Sequence, residues 1–101
     1  MASDLINPAP HLNLKEGYYK ISATNGIYSV QKQRFLSDVA NRGGYVGIGV
    51  MDSDGNLCSR YAHVIIKESF HGKTPDNMVI DHIDRIKDHN TLSNLRFVTH
   101  L

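Results

Sequence analysis

Hydrophobic residues change their spacing along the chain, and the change separates strands from a helix. Residues 18–22 and 26–30 are rich in Tyr, Ile and Val, and the turn-forming ATNG between them predicts a β-hairpin. A second hairpin is predicted from alternation over residues 45–50, the turn residues DSDG, and a strand over residues 57–61. The stretch FLSDVANRGG between the hairpins is predicted to be a connector that ends in paired glycines.

Helical spacing replaces alternation after the second hairpin. The stretch SRYAHVIIKESFHGK places four apolar residues on one helical face: Ala62, Ile65, Ile66 and Phe70. Ser59 is the predicted N-cap, and Gly72 is the predicted C-terminal stop. A turn (TPDN), a short strand (MVIDHI), a polar loop (DRIKDHNTLSN) and a last strand (LRFVT) follow. This order of elements predicts an α+β fold.

Three segments follow from these patterns. Residues 1–16 hold all but one of the prolines and show little periodicity, so we expect a flexible lead-in. Residues 17–58 form the hairpin region. Residues 59–101 combine the helix with a polar, histidine-rich end, so we expect the chemistry of the chain to lie there.

Composition limits the classes of protein. A chain of 101 residues with 41% hydrophobic content fits one small domain with a modest core. A net charge of +1 creates no strong field toward nucleic acid, so DNA binding would need a local basic surface. Cys58 is the only cysteine, which excludes an internal disulfide and a four-cysteine zinc site. Without an apolar leader or a membrane-length apolar run, we expect a cytoplasmic domain.

Histidines concentrate in the second half of the chain. A single histidine is more often a solvated or core residue than a ligand, and we expect this of His63, His71 and His89. Zinc held by several histidines is an alternative. The spacing of His82, His89 and His100 matches no structural zinc pattern, however, so the sequence does not favour zinc.

Asp81 and His82 differ from the other polar residues because both follow an apolar strand. Alternation sends neighbouring side chains to opposite faces, so at least one of the two must face a polar cavity or solvent. A carboxylate is a hard ligand suited to Mg²⁺, and an imidazole can take a proton from water near neutral pH. Together they suit metal-assisted hydrolysis of a phosphodiester.

At the C-terminal end, VIDHIDRIKDHNTLSNLRFVTH resembles the core motif of HNH endonucleases, in the version carried by phage homing endonucleases. The matching pieces are Asp81-His82-Ile83-Asp84, Asn90, Asn94-Leu95 and Arg96-Phe97-Val98-Thr99. Upstream, YAHVIIKESFHGKTPDNMVIDHID is similar to the helix and turn of that family, and NRGGYVGIGVMDSDGN is similar to its preceding hairpin. YYKISATNGIYSV is more loosely similar to its opening strand. The resemblance covers roughly residues 18–101 and implies a ββα-metal site.

The resemblance implies a role for each matching residue. Asp81 would bind a divalent metal, Mg²⁺ foremost with Mn²⁺ as an alternative, and His82 would be the general base. Asn94 would hold the loop and orient His82, whereas Asn90 would be structural. A purely structural role for both asparagines stays open, since Asn readily satisfies loop backbone groups. Asp84 is expected to cap the turn after the strand by accepting from an amide two residues on.

In this family a helix closes the site and carries a second metal ligand. The family's spacing puts that ligand near position 103, while the quoted sequence ends at Leu101. The helix would begin near Thr99. His100 is a substitute ligand that lies about one helical turn too early. We therefore expect an incomplete ββα-metal motif that lacks its C-terminal helix, which puts catalytic activity in question.

Double-stranded DNA is the partner that the resemblance implies. Five basic residues are candidates for holding its phosphates: Arg60, Lys73, Arg85, Lys87 and Arg96. A solvated surface is the alternative, since acids are interspersed among them. The expected function is a homing or nicking endonuclease, or a fragment of one, acting in the host cell of a phage or mobile element. The alternatives are a DNA-binding module that does not cut and an interaction domain unrelated to nucleic acid.

Overall fold

The computed structural model describes residues 5–36 and 40–99. Its strands and helix are β1 (Tyr19–Ser22), β2 (Gly26–Ser29), β3 (Arg34–Phe35), β4 (Ala40–Arg42), β5 (Tyr45–Met51), β6 (Leu57–Tyr61), α1 (Ala62–His71), β7 (Met78–His82) and β8 (Leu95–Thr99). Short 3-10 turns cover Pro10–Leu12 and Leu92–Asn94. The strands form three antiparallel sheets, ordered β1-β2-β3, β4-β5-β6 and β7-β8. The predicted α+β class and both predicted hairpins are confirmed.

The expected connector between the hairpins contains structure. Residues 34–35 form β3, which pairs with β2, and residues 40–42 form β4, which pairs with β5. The prediction that FLSDVANRGG, residues 35–44, is a connector was therefore wrong for residue 35 and residues 40–42. Strands of two and three residues are too short to show an alternating pattern. Residues 37–39 lie outside the described part of the chain.

Helix α1 is the element that the three sheets share. Ala62, Ile65 and Ile66 are buried on its predicted apolar face, and the helix contacts β1, β2, β5, β6, β7 and β8. Gly72 ends the helix as predicted, with a φ of 87° that is strained for residues bearing a Cβ. The predicted N-cap was wrong. Ser59 lies in β6, and the helix begins after Tyr61 without a side-chain cap.

The described part of the lead-in is packed against the domain. Leu12 and Leu14 belong to the hydrophobic core, and the backbone of Ile6 pairs with Ile21 through bonds of 3.0 and 2.8 Å. The expectation of a flexible segment over residues 1–16 is therefore wrong for these residues. Leu12 and Leu14 do not belong to a periodic pattern of hydrophobic residues, so their burial could not be predicted from the sequence. No described helix has the length and apolar character needed to cross a membrane.

The division between residues 58 and 59 also needs correction. It falls inside β6, which pairs with β5 along its whole length and leads directly into α1. The hairpin region and the histidine-rich region therefore share a strand. Their side chains belong to one hydrophobic core, which includes Ile21, Ile48 and Ile66.

Replacement of Leu12 by alanine tests whether the lead-in is part of the core. Leu12 is 6% exposed, so Leu12→Ala should lower the free energy of unfolding by about 2–4 kcal/mol through lost burial and a cavity. Leu57 is 77% exposed, which makes Leu57→Ala a matched control with little expected effect. Urea unfolding of both variants measures the difference. Equal stability of the two variants would contradict the packed lead-in.

Candidate active site

Asp81 and His82 end β7 and point to opposite sides of its hairpin with β8. Asp81 pairs with Arg96 across the two strands, and His82 pairs with Leu95. The side chain of Asp81 is 39% exposed, whereas His82 as a residue is only 4% exposed. The prediction that one of the two must reach solvent or a polar cavity is confirmed, because strand alternation turns the carboxylate outward and the imidazole inward.

Aromatic rings and an amide surround the imidazole of His82. Its ring centroid lies 5.1 Å from that of His63 in an edge-on arrangement and 5.9 Å from that of Tyr45. Asn90 Oδ1 accepts a hydrogen bond of 2.7 Å from His82 Nε2. Asn90 was expected to be structural and not catalytic, and it is Asn90 that makes the direct hydrogen bond to His82. Asn90 follows His82 by eight positions across a loop, and loop spacing carries no periodic signal for such a contact.

Asn94 is buried and holds the loop between β7 and β8. Its Nδ2 donates to Asp84 Oδ1 at 2.9 Å and to the carbonyl of His89 at 2.8 Å. Its Oδ1 accepts from the amide of Asp84 at 3.1 Å, and its carbonyl accepts from the amide of Ile83 at 2.8 Å. Asn94 therefore fixes the path of the loop. Its effect on His82 is indirect, because the hydrogen bond to that ring comes from Asn90.

Asp84 caps the turn after β7, as predicted. Its Oδ1 accepts from the amide of Ile86, two residues on, at 2.9 Å, and its Oδ2 accepts from His89 Nδ1. The hydrogen bond from His89, followed by that from Ile86, lowers the pKa of the Asp84 carboxyl to about 2. The Asp84 carboxylate therefore stays ionised and supports the loop. These hydrogen bonds give Asp84 and His89 a structural role that does not involve a metal ion.

The carboxylate of Asp81 is engaged on one of its oxygens. Oδ2 accepts a hydrogen bond of 3.0 Å from Arg96 Nε, and Arg96 Nη2 forms an ion pair with the same oxygen at 3.0 Å. Among the described residues no donor reaches Oδ1, so that oxygen could act as a single ligand to a hard cation. Within residues 5–36 and 40–99, no cluster of three or more His, Cys, Asp or Glu side chains could hold a metal ion. His100, the suggested substitute ligand, lies outside the described residues.

His63 forms a buried wall of the site. It lies on the first turn of α1, is 7% exposed, and its Nδ1 has no hydrogen-bond partner in the described part of the chain. Burial, followed by electrostatic repulsion from neighbouring His82, lowers the pKa of His63 to about 4. Its ring is therefore neutral near pH 7. No pattern in the sequence distinguishes His63 from the other histidines, because its contact with His82 arises only from packing of α1 on β7.

The five candidate DNA-contacting residues are not all near Asp81 and His82. Arg85 and Lys87 line a cavity of about 130 Å³ with Asp81, His82 and Tyr45, and Arg96 is paired with Asp81. Two residues lie elsewhere. Arg60 donates to the carbonyl of Leu12 at 2.8 Å, and Lys73 follows the far end of α1.

Lys87 also joins the loop to the turn between β4 and β5. Its Nζ donates to the carbonyl of Gly43 at 3.0 Å and lies 4.9 Å from the ring centroid of Tyr45. Gly44 has a φ of 93°, and a Cβ at this position would lie 2.9 Å from Lys87 Cδ. The Lys87 side chain therefore occupies space that the Cβ of any other residue at position 44 would need.

Comparison with known proteins agrees with this geometry. The family model described as HNH endonuclease matches residues 60–101, and the chain belongs to that family. It is 32% identical over 84 residues to DNA endonuclease I-HmuI of Bacillus phage SP01, covering 83% of this chain and 48% of the relative. The solved structure titled "DNA binding and cleavage by the HNH homing endonuclease I-HmuI" matches with a TM-score of 0.72 at 32% identity. That match also covers 83% of this chain and 48% of the other.

The resemblance inferred from the sequence is therefore confirmed at the level of family and fold. The chain spans about half the length of the relative that it matches. HNH endonucleases in general use a divalent metal. The roles of individual residues and the activity of this chain are proposals.

The lowered pKa of His63 predicts a pH-dependent stability. The unfolded chain binds a proton at His63 below pH 6.5, while the folded chain does not until about pH 4. Stability should therefore be fully present above pH 6.5 and fall toward pH 4, by up to about 3 kcal/mol from this residue. Urea unfolding at several pH values measures this loss. His63→Phe should flatten the fall, and parallel curves for the two proteins would contradict the assignment.

Proposed function

We propose that this chain carries the nuclease site of a divalent-metal-dependent HNH endonuclease that hydrolyses double-stranded DNA, by nicking or homing-type cleavage. One observation carries the proposal: Asp81 and His82 stand side by side at the end of β7, with the acid turned outward and the imidazole held by Asn90. Membership of the HNH family supports it, as does similarity to I-HmuI, a homing endonuclease that binds and cleaves DNA.

In this proposal His82 is the general base. The imidazole takes a proton from a water molecule whose oxygen attacks phosphorus, while the bond from phosphorus to the leaving sugar oxygen breaks. The rings of His63 and Tyr45 and the amide of Asn90 limit the motion of the base. Asn94 maintains the loop that carries Asn90. A base held in a fixed position does not need to be reoriented at the moment of reaction.

Asp81 is the proposed metal ligand, and the described residues fit such a role in part. The exposed carboxylate has one oxygen that is not committed to Arg96, and Mg²⁺ is often bound by one or two carboxylates with water and substrate phosphates. Mn²⁺ accepts similar ligands. When bound, such an ion supplies stabilisation of the negative charge that develops on the phosphate. His100 stays a proposed additional ligand, without structural support.

A DNA-binding module that does not cut is the second candidate, and the Asp81–Arg96 ion pair favours it. An arginine on the carboxylate reduces the charge available to a cation, and the described residues supply no ligand cluster beside Asp81. Both functions share a surface: Arg85, Lys87 and Arg96 lie around the same cavity and hairpin. Cleavage assays and binding assays separate the two functions.

Cleavage of supercoiled plasmid in Mg²⁺ or Mn²⁺ tests the enzymatic proposal. Nicking should require the metal and should fall about 10²–10⁴-fold in His82→Ala, the usual contribution of a general base. His11→Ala is a matched control, since His11 contacts Glu68 on the far half of α1 and should leave nicking unchanged. Cleavage that survives His82→Ala would exclude His82 as the base. No cleavage combined with salt-sensitive retardation of DNA would favour the binding module.

Arg85 and Lys73 provide a test of where DNA lies. Arg85 lines the cavity beside His82, whereas Lys73 follows the opposite end of α1. Arg85→Ala should weaken retardation of a DNA duplex. It should also reduce the slope of log affinity against log salt concentration by about 1, the change expected when one phosphate contact is lost. Lys73→Ala should have a smaller effect. A larger loss in Lys73→Ala would place the DNA away from the proposed site.

A further inference from the structure

Ser22 lies at the end of β1 and is completely buried. Its Oγ accepts hydrogen bonds from two amides of the β1–β2 turn, that of Thr24 at 3.2 Å and that of Asn25 at 3.0 Å. A buried hydroxyl is costly unless it is hydrogen-bonded, and serine commonly forms such bonds with amides a few residues further along. The hydroxyl of Ser22 therefore fixes the shape of the β1–β2 turn, residues 22–26.

The β1–β2 turn contacts the loop between β7 and β8, which spans residues 83–94. The amide of Leu92 in this loop donates a hydrogen bond of 2.7 Å to the carbonyl of Ala23 in the turn. Gly26 of the turn and Asn90 of the loop also line one cavity of about 250 Å³. The turn of the first sheet therefore supports the loop of the candidate active site.

The bond between Leu92 and Ala23 differs from the other hydrogen bonds of the loop. The side chain of Asn94 joins the loop to itself, which sets the shape of the loop. In the described part of the chain, the Leu92 bond is the one backbone–backbone hydrogen bond that joins this loop to another sheet. It therefore fixes where the loop lies relative to the first sheet. Since Leu92 follows Asn90 by two positions, a shift of Leu92 would also displace Asn90.

We propose that Ser22 is a positioning residue of the candidate active site. Its hydroxyl shapes the β1–β2 turn, and the carbonyl of Ala23 in that turn holds the loop that carries Asn90. Ser22 touches neither DNA nor the reacting atoms and acts only through the turn and the loop. The part of this inference that concerns cleavage rests on the proposed function, whereas the link between turn and loop can be measured without DNA.

Ser29 supplies a matched control in the same sheet. It is 4% exposed, and its Oγ accepts a hydrogen bond of 3.1 Å from the amide of Lys32 in the β2–β3 turn. Among the described residues, no hydrogen bond joins the β2–β3 turn to the β7–β8 loop. Replacement of either serine by alanine therefore loosens one turn of the first sheet, but only the turn of Ser22 holds the loop.

Hydrogen exchange of backbone amides in the full chain tests the link, because the bond to Ala23 protects the amide of Leu92. Ser22→Ala should lower the protection of this amide about 10-fold relative to the amide of Ile66 in α1, since the bond is weakened when its turn loosens. Ser29→Ala should leave that ratio within about two-fold of the wild type. Exchange followed by NMR in the three proteins measures the difference.

Plasmid nicking in Mg²⁺ tests the consequence for the reaction. A displaced loop disturbs the chemical step more than DNA binding, so Ser22→Ala should lower kcat roughly 10–100-fold and change KM less than about three-fold. Ser29→Ala should leave both constants within about three-fold of the wild type. A purely structural role for Ser22 would lower the stability of the chain but would not lower kcat at a temperature at which the variant is fully folded.

A second pair of variants removes the bond itself and decides the question if Ser22→Ala does not fold, as judged by circular dichroism. Leu92→Pro deletes the donor, and proline is tolerated at the first position of a helical turn. Thr91 has a ψ of 145°, the extended conformation that suits a residue before proline. Leu92→Val keeps the amide and has a side chain of similar size. Leu92→Pro should lower kcat roughly 10–100-fold, and Leu92→Val should change it less than about three-fold.

The outcomes separate the two proposals. Unchanged protection of the Leu92 amide in Ser22→Ala would overturn the inference, as would reduced protection with an unchanged kcat, or equal kcat values for Leu92→Pro and Leu92→Val. Reduced protection in Ser22→Ala alone, in a protein that never cuts DNA, would support the turn as the element that positions the loop and would count against the proposed hydrolysis.

Discussion

Burial of one face of α1 is the interaction on which the rest of the structure depends. The three sheets have only two or three strands each, and sheets of that size need packing against another element to be stable. Ile65 and Ile66 supply that packing, since both are almost completely buried and the helix contacts all three sheets. The same helix carries His63 against His82. The geometry of the site therefore depends on core packing, because His63, which contacts the imidazole of His82, lies on the helix that packs against all three sheets.

Satisfaction of polar atoms is the second constraint on the site. The segment between β7 and β8 forms turns instead of a strand or helix over most of its length, and side chains add hydrogen bonds to those of its backbone. Asn94 uses both ends of its amide for Asp84 and the His89 carbonyl, and Asp84 accepts from Ile86 and His89. A dense group of acids, amides and imidazoles thus serves mainly to shape a loop. That assignment leaves Asp81 and His82 as the residues proposed to carry the chemistry, with Asn90 hydrogen-bonded to His82.

Elements with a strong period could be predicted from the sequence, and contacts between elements could not. The hairpins and α1 follow from alternation and helical spacing, while β3 and β4 are too short to show either. Burial of Leu12 and Leu14 also escaped prediction, because neither lies in a periodic segment. In the site, Asp81 and His82 were identified from a polar break after an apolar strand. Asn90 contacts His82 because the loop folds back, and His63 contacts it because α1 packs against β7. Neither contact follows from a local pattern in the sequence.

The contact between Gly44 and Lys87 has a consequence for how this protein can vary. A residue other than glycine at position 44 would have to adopt a φ near 93° and also displace a lysine carbon that would lie 2.9 Å from its Cβ. A smaller side chain at position 87 would relieve the clash but would lose the hydrogen bond to Gly43 and the contact with Tyr45. The turn of the second sheet and the loop of the candidate site are therefore coupled under mutation, although 43 positions separate Gly44 from Lys87 along the chain.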